Sequence, residues 1–278
     1  MIWRTSRRTF DLADRGLIMG IVNVTPDSFS DGGHFARTDD AVAHALRLSD
    51  EGADILDIGG ESTRPGAAAV TVEDELRRVI PVIEKLAGKT AAALSIDTSK
   101  AAVARAAAAA GAEIINDVTA LQGDDDMPRV AAESGCAVVL MHMQGTPRTM
   151  QLNPRYDDVV AEVAEHLAQR VAAARAAGIG PERIAIDPGI GFGKTVEHNM
   201  QLITGLGRFA ALGHPVLLGA SRKSFLATLA HCADVEDRDL PTAVLTALGY
   251  GFGARLFRVH AVHPNLQALR LAEALATR

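Results

Sequence analysis

The chain alternates short apolar runs with longer segments of helical periodicity, and it does so eight times in 278 residues. Each run has the length of a strand and is almost wholly apolar, as in LIMGIVNV (17–24) and AVVLM (137–141). Such continuous apolar strands are typical of parallel sheets that are covered on both faces. Eight strand–helix units without a linker predict a (β/α)8 (TIM) barrel, with a doubly wound open sheet as the alternative.

The extent of the predicted domain follows from the same pattern. One barrel domain is expected to span residues 1–278, and residues 1–16 are expected to form a lead-in segment before the first strand. Six predicted helices end at a glycine, the residue that most readily adopts the left-handed backbone of a helix end. These glycines are Gly52, Gly88, Gly111, Gly135, Gly178 and Gly213.

The composition excludes several classes of partner. The net charge is −6 and the isoelectric point is near 5.8, whereas proteins that bind nucleic acid or anionic membranes carry a basic face. The apolar runs are shorter than the roughly 20 residues of a membrane helix. The string SRRTFDL (6–12) resembles a twin-arginine signal, but charged residues follow it, so we predict a cytoplasmic protein. Cys136 and Cys232 lack metal-ligand spacing and are predicted to be free and buried.

Polar side chains stand at the carboxyl end of almost every predicted strand. In a (β/α)8 barrel these strand ends form the active-site face. Burying a polar group without a partner costs about 1–3 kcal/mol, so a whole ring of them indicates a site and not a packed core. In chain order they are Asn23, Asp57, Asp97, Asn116, Asp117, His142, Asp187, Ser221, Arg222, Lys223, Arg258 and His260.

One group of these residues is rich in hydrogen-bond acceptors. Asp97, Asn116 and Asp187 suit the amino and N–H groups at the edge of a heterocycle. The loop PGIGFGK (188–194) is glycine-rich, which lets the backbone approach a flat ligand, and Phe192 offers a face for stacking. This group predicts a planar, nitrogen-containing substrate.

A second group is cationic. Lys223, Arg258 and His260 come from the last two predicted strands, where such barrels often bind phosphate. An Arg fork together with a Lys point charge suits a pyrophosphate better than a carboxylate. Asn23 and Asp31 add oxygen ligands for Mg²⁺, which takes one or two protein ligands and substrate phosphates.

Eight strings of residues carry a resemblance along nearly the whole chain. They are MGIVNVTPDSFSDGG (19–33), DIGGESTRPGA (57–67), SIDTSK (95–100), IINDV (114–118), MHMQGTP (141–147), DPGIGFGK (187–194), SRKSF (221–225) and RVH (258–260). In this order they resemble the bacterial dihydropteroate synthase family of pterin-binding barrels. The first, second and sixth strings are the most specific.

The resemblance implies a reaction of folate synthesis. In that reaction 6-hydroxymethyl-7,8-dihydropterin diphosphate loses pyrophosphate and p-aminobenzoate attacks the freed methylene, giving 7,8-dihydropteroate. We expect an SN1-like displacement with Mg²⁺ as cofactor, because the dihydropterin ring can delocalise positive charge from the methylene. No strong general base is expected, because the arylamine is already a nucleophile. The resemblance also implies a homodimer through helices outside the barrel, with small-molecule substrates as partners.

Site residues follow from the same motifs, by matching position. The residues expected at the pterin are Asp97, Asn116, Met141, Asp187 and Lys223. Those expected at the pyrophosphate and Mg²⁺ are Asn23, Arg258 and His260, with Asn23 as the metal ligand. Two mobile closing loops are expected to supply Asp31, Thr63 and Arg64, and the p-aminobenzoate pocket is expected to be lined by Pro65, Phe192 and Ser221. The catalytic set expected among them is Asp31, Arg64, Asp97, Asp187, Lys223, Arg258 and His260.

One position departs from the pattern that the resemblance implies. The family usually carries Asp directly after the RVH histidine, and this chain carries Ala261. If that carboxylate orients His260, anion binding is expected to be looser here. A pterin-binding paralogue without turnover therefore stays open as an alternative. A methyltetrahydrofolate-binding module of the methyltransferase type is a second alternative, which would share Asp97, Asn116 and Asp187 but has no use for Lys223 and Arg258. The glycine loop has no insertion beside Phe192, which favours a sulfonamide-sensitive pocket.

Overall fold

The structure, a computed structural model, describes residues 1–25, 34–62, 69–146 and 149–276. Its strands are β1 (Ile2–Arg4), β2 (Thr9–Asp11), β3 (Leu17–Asn23), β4 (Ile55–Gly59), β5 (Ala93–Asp97), β6 (Ile114–Asp117), β7 (Ala137–Met141), β8 (Ile184–Asp187), β9 (Leu217–Leu218) and β10 (Leu256–Val259). Its helices are α1 (His34–Asp50), α2 (Val72–Leu86), α3 (Ala101–Ala110), α4 (Met127–Ser134), α5 (Val159–Ala176), α6 (Val196–Thr204), α7 (Leu206–Ala210), α8 (Ser224–Ala230), α9 (Asp239–Gly251) and α10 (Val262–Ala276). Single 3-10 turns lie at Pro181–Arg183 and Glu236–Arg238.

Strands β3 to β10 form one parallel sheet that closes on itself. Their order is β8-β7-β6-β5-β4-β3-β10-β9. Strands that follow each other in sequence therefore lie side by side, and the last strand, β10, pairs with the first, β3. A parallel bridge between Ile186 and Val216 connects the two outer strands, and the Ile186 amide donates to the Pro215 carbonyl at 2.9 Å. The predicted (β/α)8 barrel is confirmed, and the open-sheet alternative is wrong.

The strand register brings polar residues of neighbouring strands to one level. Asn23 lies opposite Gly59, Gly59 lies opposite Asp97, and Asp97 lies opposite Asn116. Side chains at matched positions of parallel neighbours point to the same face of the sheet. The ends of β3, β5 and β6 therefore direct the side chains of Asn23, Asp97 and Asn116 to a common region, with Gly59 of β4 at the same level.

The barrel has an inner and an outer apolar core. The outer core lies between the strands and the surrounding helices, and it contains strand residues such as Ile18, Ile58 and Ile115. The inner core lies near the amino ends of the strands and consists of Trp3, Leu12, Leu17, Met19, Ile55, Ala93, Ile114, Ala137, Val139, Ala185, Leu217 and Leu256. Since an eight-stranded barrel is just wide enough to be filled by side chains, this core is packed and leaves no channel.

The amino-terminal segment closes that end of the barrel. Strands β1 and β2 pair as an antiparallel hairpin, and Trp3 is fully buried in the inner core, with its indole N–H donating to the Arg183 carbonyl at 3.3 Å. Arg8 forms two hydrogen bonds with the buried Glu113 carboxylate, and the Thr5 hydroxyl donates a third. The sequence predicted only a lead-in here, whereas the segment is ordered as a plug.

Three smaller predictions are also decided. The six glycines predicted to end helices all have positive φ, from 71° at Gly135 to 126° at Gly111. Both cysteines are free; Cys136 is buried as predicted, but Cys232 is half-buried, so that part was wrong. Within the described ranges, no helix combines the length and apolar character needed to cross a membrane.

Candidate active site

One large cavity opens at the carboxyl ends of the barrel strands. Its volume is about 1950 Å³, more than the roughly 300–1,000 Å³ of a typical single-ligand pocket, so it has room for two substrates. Ten of the fourteen predicted site residues line it: Asn23, Asp97, Asn116, Met141, Asp187, Phe192, Ser221, Lys223, Arg258 and His260. The other four, Asp31, Thr63, Arg64 and Pro65, lie outside the described residues.

Arg258 connects carboxylates across the mouth of the barrel. It starts on β10, and its side chain passes β3 to reach the next two strands. Its Nε donates to Asp57 Oδ2 at 2.6 Å and its Nη2 donates to Asp97 Oδ2 at 2.7 Å. Asn116 Nδ2 donates to the same Asp57 oxygen at 3.0 Å. The sequence assigned Arg258 to the anion and Asp97 to the heterocycle, but here the two form one ion pair.

The buried charges in this pair shift each other's protonation. Burial raises the pKa of Asp97; the Arg258 charge opposes this shift, and the neighbouring Asp57 adds to it. Burial alone would lower the pKa of Arg258, but Asp57 and Asp97 outweigh burial and raise it above its usual value. Arg258 therefore stays charged, and Asp97 is a carboxyl that a donor-rich ligand can hold in its ionised form.

Asp57 is part of this arrangement, although it was not among the predicted site residues. Its side chain is fully buried, and its second oxygen, Oδ1, has no hydrogen-bond partner among the described residues. It stood in the sequence as one more polar residue at a strand end. Its partner Arg258 is 201 residues away, so the sequence carried no signal of their contact.

Asp187 and Lys223 face each other beside the glycine loop. Asp187 Oδ1 accepts from the Gly189 amide at 2.7 Å, and burial raises the pKa of this carboxyl against the effect of that bond and of Lys223. Burial lowers the pKa of Lys223 to about 7, with Asp187 opposing the shift. The Lys223 ammonium donates to the Ile190 carbonyl and lies 4.2 Å from the centre of the Phe192 ring, a cation–π distance.

His260 is held by Ser221. The Ser221 hydroxyl lies 2.9 Å from His260 Nδ1 and accepts from the His260 backbone amide at 3.1 Å. Ala261 is the residue directly before α10, and its carbonyl accepts from Asn265 at 2.7 Å. An Asp at position 261 would therefore stand where helix-capping side chains act. Ser221 therefore orients His260, and the expectation that Ala261 loosens anion binding stays a prediction.

The donor set fits a metal ion that takes most of its ligands from phosphate and water. Among the described residues, no group of three or more His, Cys, Asp and Glu side chains is arranged to hold a metal. Asn23 lines the cavity at the end of β3, which pairs with β10, the strand that leads into His260. One amide oxygen beside a cluster of basic side chains matches the usual coordination of Mg²⁺, which takes most of its ligands from phosphate and water, and not that of zinc.

Comparison with known proteins agrees with this site. Residues 19–260 match the family described as pterin-binding enzymes. That range covers most of the chain and includes every strand of the barrel except the first two residues of β3. The chain therefore belongs to the pterin-binding enzyme family.

Its relatives define the group more narrowly. The Escherichia coli (strain K12) dihydropteroate synthase is 48% identical over 259 residues, which cover 92% of this chain and 90% of that protein. A Xanthomonas albilineans dihydropteroate synthase solved with 4-aminobenzoic acid superposes with a TM-score of 0.93 at 50% identity, over 100% of this chain and 98% of that one. The same enzyme with 7,8-dihydropteroate gives 0.91 at 47% identity, over 100% of both chains. The chain is thus an enzyme of the dihydropteroate synthase group, which are transferases.

Proposed function

We propose that this chain joins 6-hydroxymethyl-7,8-dihydropterin diphosphate to p-aminobenzoate, giving 7,8-dihydropteroate and pyrophosphate. The observation that carries the proposal is a single cavity in which buried acceptors and a cation cluster lie side by side. Asp97, Asn116 and Asp187 form the acceptor side, and Lys223, Arg258 and His260 form the cationic side. The Xanthomonas albilineans enzyme, 47–50% identical in the two structures, binds 4-aminobenzoic acid and 7,8-dihydropteroate.

The acceptor side suits the pterin ring. The amino and ring N–H groups of the pterin would donate to Asp97, Asn116 and Asp187, and these bonds would favour the ionised carboxyls over the neutral forms that burial favours. Met141, which is buried at the end of β7, would pack against the ring. The ionised carboxylates of Asp97 and Asp187 would then face the pterin ring, whose methylene loses the leaving group.

The cationic side suits the diphosphate. As the methylene C–O bond breaks, its electron pair leaves with the pyrophosphate, and Arg258, Lys223 and His260 would stabilise that growing charge. Positive charge left on the methylene delocalises into the dihydropterin ring, where Asp97 and Asp187 would favour it. Interactions that strengthen as the bond breaks raise the rate and not only the affinity.

Mg²⁺ is the proposed cofactor, held by the Asn23 amide oxygen together with the diphosphate and water. When bound, it would neutralise charge on the departing pyrophosphate. Asp31, the other oxygen ligand predicted from the sequence, lies outside the described residues.

The arylamine then completes the reaction. Its nitrogen lone pair forms the new C–N bond, and the extra proton passes to solvent, so no strong general base is required. Phe192 and Ser221 would line this part of the cavity, with Thr63, Arg64 and Pro65 as the remaining proposed contacts outside the described residues. A pocket of this kind is also where sulfonamides would compete with p-aminobenzoate.

The test is product formation by the purified protein. Incubation with both substrates and Mg²⁺ should give 7,8-dihydropteroate by mass spectrometry, and chelation with EDTA should abolish it. An Asp97→Asn variant should lose turnover by about 100-fold, because a neutral amide removes charge that favours the cationic ring. Saturable pterin binding without any product would instead identify a binding paralogue, and an Asp97→Asn variant with full turnover would contradict the electrostatic role.

We also propose that the chain forms a homodimer through α9 and α10. Large apolar side chains are exposed at one-turn spacing on α9 and again on α10, which pack against each other. They are Leu240, Val244, Leu248, Leu271 and Leu275. An exposed apolar surface of this kind is typical of subunit interfaces. Sedimentation should give twice the monomer mass, and a Leu271→Glu variant should sediment as a monomer.

A further inference from the structure

Side-chain hydrogen bonds to backbone carbonyls fix the glycine loop that carries Phe192. Each of four consecutive backbone oxygens accepts a hydrogen bond from a different side chain. Lys223 donates to the carbonyl of Ile190, Gln151 donates to that of Gly191 at 2.7 Å, Lys194 to that of Phe192 at 2.9 Å, and Tyr156 to that of Gly193 at 3.0 Å. One backbone bond, from the Phe192 amide to the Gly189 carbonyl at 3.1 Å, lies within the turn, so side-chain donors supply most of the contacts that fix it.

Lys194 is the most unusual of these donors because its ammonium is inside the protein. The residue is 3% exposed. Its Nζ lies 2.9 Å from the Phe192 carbonyl, 3.0 Å from His142 Nδ1 and 3.4 Å from the His142 carbonyl. An ammonium has three N–H donors, so three acceptors satisfy it. Lys194 thus ties the centre of the glycine loop to the end of β7.

The groups around Lys194 set the protonation states in this hydrogen-bond network. Burial lowers the pKa of Lys194 to about 7, with Asp187 opposing and Lys223 adding to the shift. Burial also lowers the pKa of His142 to about 3, so its ring is neutral and its Nδ1 accepts when the proton sits on Nε2. His166 from α5 packs edge-on against His142, with ring centres 4.8 Å apart, and Tyr156 packs beside it at 6.1 Å.

Glycines allow the loop to lie this close to β7. A Cβ on Gly189 would come within 1.9 Å of the His142 carbonyl, and one on Gly193 within 2.7 Å of the Gln144 carbonyl. Both glycines also have positive φ, which other residues rarely adopt. The glycines therefore permit the approach, and Lys194 supplies the attraction that holds it.

We propose that Lys194 is a positioning residue for the arylamine substrate, acting through the backbone of Phe192. The inference rests on the proposed function, in which Phe192 lines the p-aminobenzoate pocket. All three N–H donors of the Lys194 ammonium are directed at the Phe192 carbonyl and at two acceptors of His142, so the proposed role requires no bond from Lys194 to substrate. Of the residues proposed at the pterin, Asp97 and Asn116 stand on β5 and β6, away from this loop. Asp187 and Lys223 bond to the loop at Gly189 and Ile190, and not at the Phe192 carbonyl that Lys194 holds.

The defining variant is Lys194→Met, which keeps the length of the side chain and removes the donors. We expect the KM for p-aminobenzoate to rise about tenfold, because small displacements of a positioning group have large effects on a bound reactant. The KM for the pterin diphosphate should rise by no more than about threefold, because its contacts to the loop are at Gly189 and Ile190 and not at Phe192. Tyr156→Phe, which removes one hydroxyl from the same loop, should shift the p-aminobenzoate KM in the same direction by about threefold.

Arg183→Met is the matched control. Arg183 is also a cationic side chain that donates to backbone carbonyls, those of Ala131 and Cys136, but it stands at the amino end of β8. Both variants should lower the melting temperature, and only Lys194→Met should change the p-aminobenzoate KM. If Lys194→Met does not fold, Tyr156→Phe carries the test alone.

The outcomes separate this inference from the proposed function. A wild-type protein that makes no dihydropteroate would overturn the proposed function itself. An active wild type whose Lys194→Met and Tyr156→Phe variants keep the p-aminobenzoate KM would overturn only the positioning role. Equal rises of both substrates' KM values in Lys194→Met, or a similar rise in Arg183→Met, would also overturn it, because such changes report a general loss of structure.

Discussion

A buried carboxylate lies at each end of the barrel, and the two differ in how completely they are hydrogen-bonded. At the amino end, Glu113 accepts from Arg8 through both oxygens, at 2.6 and 2.9 Å, and from the Thr5 hydroxyl at 2.7 Å. At the carboxyl end, Asp57 accepts from Arg258 and Asn116 on one oxygen, while its other oxygen has no partner among the described residues. Both carboxylates are buried, but only Glu113 is fully paired.

This difference assigns separate tasks to the two ends. A fully paired buried charge fixes structure, and Glu113 anchors the hairpin whose Trp3 fills the inner core. A buried polar group left short of partners costs free energy, and such groups persist where a ligand or a mechanism needs them. We infer that the amino end supplies stability and the carboxyl end supplies chemistry, so variants at the two ends should have different effects.

The largest effect is expected for Arg258→Met. The change removes the counter-charge of Asp57 and Asp97 and a cation from the leaving-group side, so kcat should fall about 100- to 1000-fold. The free energy of unfolding should fall by about 3 kcal/mol, because two buried carboxyls lose their partner. Steady-state kinetics and urea unfolding measure the two losses. Turnover within tenfold of wild type would contradict the role of Arg258.

Trp3→Ala should have a large effect on stability alone. Emptying the site of a fully buried indole at the amino end should lower the free energy of unfolding by about 3–5 kcal/mol. Turnover at 25 °C should stay within twofold of wild type, since the inner core separates Trp3 from the cavity. Ile2→Ala is the matched control, because Ile2 is exposed on the same strand and its loss should change stability by less than about 0.5 kcal/mol.

A moderate effect is expected from pH. Burial lowers the pKa of Lys223 to about 7, so in the free enzyme its ammonium is present below that pH and is lost as pH rises. The bound diphosphate favours the charged form, so the affinity for pterin diphosphate should fall by up to about tenfold per unit as pH rises above about 7. Lys223→Arg, which stays charged, should give a flat profile over pH 7–9. A flat wild-type profile would contradict the shifted pKa.

The smallest effect is expected for Ala261→Asp. The new carboxylate would stand directly before α10, where it can accept from the His263 backbone amide, and should stabilise the protein by about 0.5 kcal/mol. Because Ser221 already orients His260, turnover should change less than twofold. Thermal unfolding and kinetics measure both. A several-fold gain in turnover would restore the idea that residue 261 governs His260.

The sequence was informative wherever one strand sufficed to define a feature. Continuous apolar runs located β3 to β10, and the polar residues that follow them pointed to one face, where the ten described site residues do line one cavity. Helix ends at glycine were equally local features, and their positive φ values agree. Local patterns of this kind are set by backbone geometry and burial, so they can be read without knowing the fold.

Other features depend on contacts that the sequence does not display. Strands β1 and β2 are three residues each, too short to show periodicity, and Trp3 is buried only because the barrel end receives it. Asp57 on β4 belongs to the site because it pairs with Arg258, which lies six strands further along the chain on β10. Lys194 follows a glycine-rich stretch, where a lysine would ordinarily be exposed, and its burial results from the close approach of the loop to His142.

The most direct test of the whole account measures pyrophosphate release from the pterin diphosphate in the presence of Mg²⁺, with and without p-aminobenzoate. For wild type and for Trp3→Ala, the account predicts that pyrophosphate release depends on p-aminobenzoate and matches dihydropteroate one to one. For Arg258→Met, it predicts that release falls about 100- to 1000-fold. Wild-type protein that binds the pterin yet releases no pyrophosphate, or Arg258→Met that releases it at the wild-type rate, would contradict the assignment of chemistry to the carboxyl end of the barrel.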